Sequence, residues 1–366
     1  MALASLRPLL RLAAASALAL ILLDLALFRS GLYANWIEPR STAGSVYGAT
    51  LAIAHYRDAS RKNVLVLGNS QIAEGFSAPL ADAAAARPDV HFVNGAVPGT
   101  TLRVWNYLLR AVDPDANRFA AVVLMIDGNL DSDIGDLTNY PLDTRYLVPL
   151  LEVRDVVDYP ESFSDPGQRA SARRAILFPL HTLREDLFAF VARPSERSSA
   201  VRLDRPAWIE SVDNYPGREE RLPELAFDPA GAQPLDWHGV DAALRAKLEA
   251  YFASLRMPPN AAVREPNDRY YRTWLGRIAS RYAARGVPVF VFVVPRGPWQ
   301  VKLMPAPHYA GSEADLIAAG HVHALAPDAF VALEKPEYFF DTLHMNRAGR
   351  ERFSREFARA IARQVP

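Results

Sequence analysis

The sequence contains no cysteine. Disulfide bonds, thiolate metal sites and a cysteine nucleophile are therefore excluded, and the redox compartment is left undetermined. Any covalent intermediate has to form on serine, threonine, lysine or a carboxylate.

An excess of charge is also lacking, because 41 Lys and Arg residues balance 41 Asp and Glu residues. A nucleic-acid-binding protein needs a basic surface against the phosphates, so nucleic acid is not an expected partner. Internal repeats and low-complexity tracts are missing as well. Half of the 366 residues are apolar, enough for a large domain with an elaboration.

One long apolar run is present, at residues 12–28, after Arg7 and Arg11. Its length and position predict a membrane helix, and no small-x-small cleavage site follows it, so we expect an uncleaved anchor. A removed signal peptide and a buried core helix are the alternatives. The basic residues before the run predict a single pass through the inner membrane, with the rest of the chain in the periplasm. Asp24 lies near the outer end of the run, where a carboxylate can reach the interface.

Short β-branched runs then alternate with helical spacing. The runs at residues 63–67, 90–93, 120–126 and 287–294 predict strands buried on both faces of a parallel sheet. Such alternation is typical of an α/β fold with right-handed crossovers.

The same alternation divides the chain. We expect an anchor at 1–30, a tether and lead-in at 31–60, and an α/β domain made of 61–134 and 268–366. The segment 135–267 is too long for a loop, so we expect an inserted cap subdomain over the site, with helices around 175–191 and 240–255.

Polar residues follow the predicted strands, at the edge of the sheet where ligands bind in open parallel sheets. They are Asn69 and Ser70 after the first strand, Ala96 in the loop after the second, Asp127 and Asn129 after the third, Arg296 after the fourth, and Asp341 and His344 before the last helix.

These positions supply the parts of a serine nucleophile site. Ser70 can attack an ester carbonyl, His344 can take its proton, and Asp341 can hold the imidazole tautomer. The backbone N–H groups of Ser70 and Ala96 and the side-chain amide of Asn129 can surround the oxyanion.

The four segments, in this order, resemble the four sequence blocks of the SGNH or GDSL hydrolase family. The best match is Asp341-x-x-His344 followed by Met345 and Asn346. The resemblance covers residues 61–134 and 275–366. It implies a three-layer, flavodoxin-like parallel sheet that carries a Ser-His-Asp triad and needs no metal or other cofactor.

Four positions, in three of the blocks, depart from that family. Asn69 stands where an aspartate is usual, Ala96 where a glycine is usual, and Asp127 and Leu130 flank Asn129 in place of a glycine and an aspartate. With Arg296, the residues Asn69 and Asp127 are candidate substrate contacts. With these departures, the sequence resembles a divergent branch of the family. This branch comprises the SGNH-like proteins that assist polysaccharide or cell-wall acylation beside a membrane-bound O-acyltransferase.

The resemblance therefore implies acyl transfer, such as O-acetylation, to a glycan or cell-envelope polymer through an acylated Ser70. A plain carbohydrate esterase and a catalytically inactive glycan-binding or scaffold protein are the alternatives. His321 and His323 are a weak metal candidate, since no acidic cluster accompanies them.

Overall fold

The computed structural model describes residues 2–126, 142–228, 233–256 and 264–366. The chain divides into two compact units. The anchor unit comprises Met1–Gly48 and Gly135–Ile209, and the sheet unit comprises Ala49–Ile134 and Glu210–Pro366. The predicted insertion at 135–267 is thus shared between the units. Its function as a cap stays a prediction.

Five parallel strands form the sheet of the sheet unit, in the order β2-β1-β3-β4-β5. Their bounds are Lys62–Leu67 (β1), Val90–Asn94 (β2), Ala121–Ile126 (β3), Val289–Val293 (β4) and His323–Ala324 (β5). Every residue of β3 is buried, so both faces of the sheet are covered there. The predicted parallel α/β sheet is confirmed, and the short β5 is an addition to it.

The sheet unit contains several helices besides the strands. Their bounds are Ser70–Gly75 (α3), Ala78–Ala84 (α4), Leu102–Val112 (α5), Ala242–Leu255 (α11), Arg264–Ala283 (α12), Gln300–Leu303 (α13), Gly311–Ala318 (α14) and Arg347–Ala362 (α15). Helix α15 packs on α3 and α4, while α12 packs on α5 and α14. Phe357 of α15 lies 5.3 Å from Phe76 and 5.0 Å from Phe292, measured between ring centroids.

The anchor unit is helical in the residues that the structure describes. Its helices are Ala2–Asp24 (α1), Leu142–Leu147 (α6), Asp158–Glu161 (α7), Pro166–Leu177 (α8) and Pro179–Ala192 (α9), while Thr42–Tyr56 (α2) and Pro194–Asn214 (α10) cross the unit boundary. A π-helical turn, Leu25–Arg29, continues α1. By length and composition, Arg11–Arg29 is able to cross a membrane.

One predicted helix and one predicted tether differ from the structure. The helix expected around 175–191 is split, because Pro179 disfavours a helical conformation at Phe178, whose φ is −133° and ψ is 76°. Residues 31–60, expected as a tether, contain α2, whose small residues Ala49 and Ala52 are buried. The helix expected around 240–255 is confirmed as α11.

Gly68, between β1 and α3, gives a prediction about stability. A Cβ at this position would lie 2.3 Å from Ile72 Cγ1 and 2.8 Å from Met125 Sδ. Gly68→Ala is expected to lower the free energy of unfolding by about 1–3 kcal/mol through overpacking. Urea unfolding of the full chain in detergent measures it. Gly276→Ala in α12 is the control, since nothing lies within 4 Å of its added Cβ, and equal stability loss in both variants would contradict the prediction.

Candidate active site

Ser70 is the first residue of α3, directly after β1. Asn69 is the N-cap of this helix, and its Oδ1 accepts the Gln71 N–H at 2.8 Å. The cap turns the chain sharply after Gly68, so the Ser70 side chain lies at the carboxyl edge of the sheet. The oxygen of Asn69, a predicted substrate contact, is therefore used to build this turn.

Asp341 and His344 lie in a tight turn before α15. Asp341 Oδ1 accepts the backbone N–H groups of Leu343 at 2.8 Å and of His344 at 2.7 Å. The Phe340 N–H donates to the His344 carbonyl at 3.1 Å and closes the turn from the other side. An aspartate at the first position of such a turn is favoured because its side chain satisfies the following amides.

The structure brings three of the predicted residues together. His344 Nε2 lies 2.8 Å from Ser70 Oγ, and His344 Nδ1 lies 2.9 Å from Asp341 Oδ2, although Ser70 and His344 are 274 residues apart. An ionised carboxylate only accepts hydrogen bonds, so the proton is assigned to Nδ1 and Nε2 accepts the serine hydroxyl. The side chains of His344 and Asp341 are 21% and 44% exposed, so solvent reaches the site.

The charge of Asp341 is stabilised by its hydrogen bonds. Burial raises the pKa of this carboxyl, but bonds from the His344 side chain and from the backbone N–H groups of His344 and Leu343 outweigh burial and lower the pKa. The carboxylate is therefore ionised at neutral pH.

An aromatic wall beside His344 was not predicted. The Phe340 ring stacks on the imidazole with centroids 5.7 Å apart and an angle of 12°. The Phe340 ring also contacts a cation, because the Arg218 guanidinium lies 4.7 Å from its centroid. The position of Phe340 directly before Asp341 is a sequence signal for an aromatic residue beside the site. The residues around Arg218 give no such signal for its contact with Phe340.

Ala96 lies beside the serine loop, as expected, but its N–H is already bonded. The Val97 N–H donates to the Gly68 carbonyl at 2.9 Å, which joins the two loops. The Ala96 N–H donates to Asn94 Oδ1 at 3.0 Å. An oxyanion bound by Ala96 has to share this donor with Asn94 or displace it, and the oxyanion role of Ala96 stays a prediction.

Arg296 has a structural partner that the sequence did not reveal. Its Nε and one terminal nitrogen donate to Glu334 at 2.8 and 2.9 Å, and the other terminal nitrogen donates to the Pro305 carbonyl. The Glu334 side chain is only 1% exposed. A buried carboxylate needs a bonded cation, so the ion pair accounts for Arg296 without any substrate. Asp127 and Asn129, the other predicted contacts after β3, lie outside the described residues.

The loop after β4 supports the Asp341 turn. At Gly297, where φ is +136°, a Cβ would lie 2.6 Å from the Thr342 carbonyl oxygen and 3.0 Å from the Tyr251 hydroxyl. Backbone therefore approaches backbone beside the site, and α11 contributes Tyr251 there.

No protein-family model matches the chain, and no curated protein matches it. Within residues 2–126, 142–228, 233–256 and 264–366, no group of three or more acidic or histidine side chains is arranged to hold a metal ion.

The lowered pKa of Asp341 predicts a pH-dependent stability difference. A carboxyl whose pKa is lower in the folded state stabilises the fold above its unfolded pKa of about 3.9. Compared with Asp341→Asn, the native chain is expected to be more stable at pH 5–7, by less than about 1 kcal/mol because the carboxylate is partly exposed. The difference should vanish as the pH falls through the folded pKa. Urea midpoints between pH 3 and 7 test this, and a difference that grows on acidification would contradict it.

Proposed function

We propose that the sheet unit is a serine acyl-ester enzyme of the SGNH type. The observation that carries the proposal is the hydrogen-bond chain from Ser70 Oγ through His344 to the Asp341 carboxylate, at 2.8 and 2.9 Å. A hydroxyl becomes a nucleophile when a neutral imidazole accepts its proton and a third group fixes that imidazole.

The first half-reaction acylates Ser70. As Oγ bonds to the ester carbonyl carbon, its proton passes to His344 Nε2. The tetrahedral intermediate then collapses, the carbon–oxygen bond to the alcohol breaks, and His344 returns the proton to the leaving alcohol. Asp341, ionised because its pKa is lowered, stabilises the imidazolium throughout.

The second half-reaction transfers the acyl group. An acceptor hydroxyl attacks the acyl carbon and gives its proton to His344, and Ser70 leaves with that proton. The oxyanion of each step is assigned to the backbone N–H groups of Ser70 and Ala96 and to the Asn129 amide. A missing donor of this kind typically lowers the rate by about 10²–10³-fold.

The topology is compatible with this assignment. The strand order β2-β1-β3-β4-β5 is the order of flavodoxin-like sheets, whose ligands bind where the winding reverses at the carboxyl edge. Ser70 follows β1, at the reversal between the neighbouring strands β1 and β3.

The placement of the anchor helix in the membrane limits which acyl donors and acceptors the enzyme can use. We place α1 across the inner membrane and the sheet unit in the periplasm, because Arg7 lies before the span and Arg11 is its first residue. Acyl-CoA is confined to the cytosol, so an acyl group has to be supplied through the membrane. A membrane-bound O-acyltransferase is the corresponding partner, and a glycan or cell-envelope polymer is the acceptor.

A plain carbohydrate esterase is the second candidate. The 44% exposure of the Asp341 side chain leaves the site open to water, which can take the place of an acceptor hydroxyl. Both candidates share acylated Ser70 and differ only in what attacks it.

A fluorophosphonate probe tests the nucleophile. The full chain is expected to be labelled at Ser70, and Ser70→Ala to abolish labelling. Asp341→Asn should slow labelling by about 10²–10⁴-fold, since an amide N–H facing Nδ1 favours the wrong imidazole tautomer. Ser60→Ala is the matched control, because Ser60 also has a carboxylate partner, Asp58 at 2.6 Å. Unchanged labelling of Ser70→Ala would overturn Ser70 as the nucleophile, and a native chain that is not labelled would favour the inactive scaffold.

Product analysis separates transfer from hydrolysis. With a chromogenic acetyl ester and a polysaccharide acceptor, transfer predicts acetylated polysaccharide, and the product should disappear in Ser70→Ala. Mass spectrometry of the polymer and absorbance of the released alcohol measure both outcomes. Ester cleavage that yields only free acetate, whatever the acceptor concentration, assigns the esterase function.

A further inference from the structure

The anchor unit exposes large apolar side chains where α8 meets α9. Leu177, Phe178 and Leu180 at this corner are between 37% and 43% exposed, and Phe188 and Val191 further along α9 are 73% and 68% exposed. Soluble surfaces rarely gather so many large apolar groups, and such a patch indicates a partner surface or a membrane.

Three of these side chains lie on one side of α9. At 100° per residue, Leu180, Phe188 and Val191 fall within one sector of the helix, which also carries the exposed Arg184. The neighbouring sector carries Leu183 and Phe190. The second sector packs with Tyr33 in a core cluster just after the anchor helix. Helix α9 therefore packs against the end of the anchor with the sector of Leu183 and Phe190, and the sector of Phe188 and Val191 is exposed.

The position of the corner along the anchor is fixed by hydrogen bonds. The Leu180 N–H donates to Asp24 Oδ1 at 2.8 Å, and the Asp24 side chain is buried. Arg29 donates to the carbonyls of Leu151 and Ile176. Asp24 precedes Arg29 by five residues, so it lies roughly 7 Å closer to the membrane centre at 1.5 Å per residue. The corner is held at that depth.

The same contact explains an acidic residue inside the apolar run. The Asp24 carboxylate lies at the first turn of α9, where backbone N–H groups and the helix dipole favour a negative charge. Asp24 is thus bonded to protein at the depth where an isolated carboxylate would be unfavourable in lipid.

We propose that the α8–α9 corner, with the outward sector of α9, is embedded in the outer leaflet of the membrane that α1 crosses. The occupant of the apolar surface is lipid. A depth of roughly 7 Å agrees with the about 5–10 Å reached by interfacial helices. This inference rests on the anchor placement in the proposed function and not on the chemistry of Ser70.

The surroundings of the corner suit the headgroup layer. Arg174 and Arg184 are exposed on the two helices that meet there, and arginines in this position can bind lipid phosphates. Trp36 stacks on Phe190 with ring centroids 5.2 Å apart and is 39% exposed, beyond the end of the anchor. Tryptophan is enriched at this level of a membrane. The anchor unit is therefore attached to the bilayer by two elements rather than by one helix.

Single-cysteine labelling tests the proposal, because the natural chain has no cysteine to remove. Phe178→Cys in the full chain is labelled with an environment-sensitive fluorophore and reconstituted in nanodiscs with lipids brominated along their acyl chains. Quenching is expected to exceed that of Leu203→Cys by at least about threefold. Leu203, 61% exposed on α10, is the matched control: its neighbour Arg205 bonds the Asn35 and Ile37 carbonyls, past the anchor's end. Leu20→Cys within α1 is the lipid-embedded reference.

Each outcome decides the question. Quenching at position 178 that equals the value at position 203 overturns the proposal, as does a blue-shifted but unquenched fluorophore, which would indicate a protein partner. An unquenched fluorophore at position 20 would show that α1 does not lie in the bilayer, and the proposal for the corner would fail with it. Serine labelling on the same samples reports separately on the chemistry and on folding. Val191→Cys is the second reporter if Phe178→Cys does not fold.

Discussion

The Asp341 carboxyl group has two tasks that cannot be separated. One oxygen accepts the backbone N–H groups of Leu343 and His344 and thereby shapes the turn, while the other lies 2.9 Å from the imidazole of His344. The charge that orients the imidazole is thus the charge that folds its loop. The stacking of Phe340 and the approach of Gly297 to Thr342 both act on a turn that already has this shape.

Close backbone approaches set the tolerance of the site. Gly68 leaves no room for a methyl group beside Ile72, and Gly297 leaves none beside the Thr342 carbonyl. The ion pair of Arg296 with buried Glu334 fixes the start of the same loop. Close packing at Gly68 and Gly297 and the Arg296–Glu334 ion pair therefore constrain the loops that carry Ser70 and His344.

The sequence alone revealed what is local and periodic. Four β-branched runs predicted four of the strands, and the order of Ser70, Asp341 and His344 at strand ends predicted their convergence. Features that depend on a distant partner were not accessible. Arg296 was predicted to contact substrate because the residues near it in sequence do not indicate its partner Glu334. Asp24 was predicted to reach the membrane interface because its partner Leu180 lies 156 residues away.

The separation of 274 residues between Ser70 and His344 has a consequence for biosynthesis. A chain is made from its amino end, so β1 and Ser70 leave the ribosome well before α15 exists. Until the turn at 341–344 docks, the Ser70 hydroxyl has no imidazole from His344 and keeps the reactivity of an ordinary alcohol. A nascent or interrupted polypeptide therefore lacks the hydrogen bond between Ser70 and His344, and in the proposed enzyme Ser70 would become a nucleophile only after the distant segment has folded onto it.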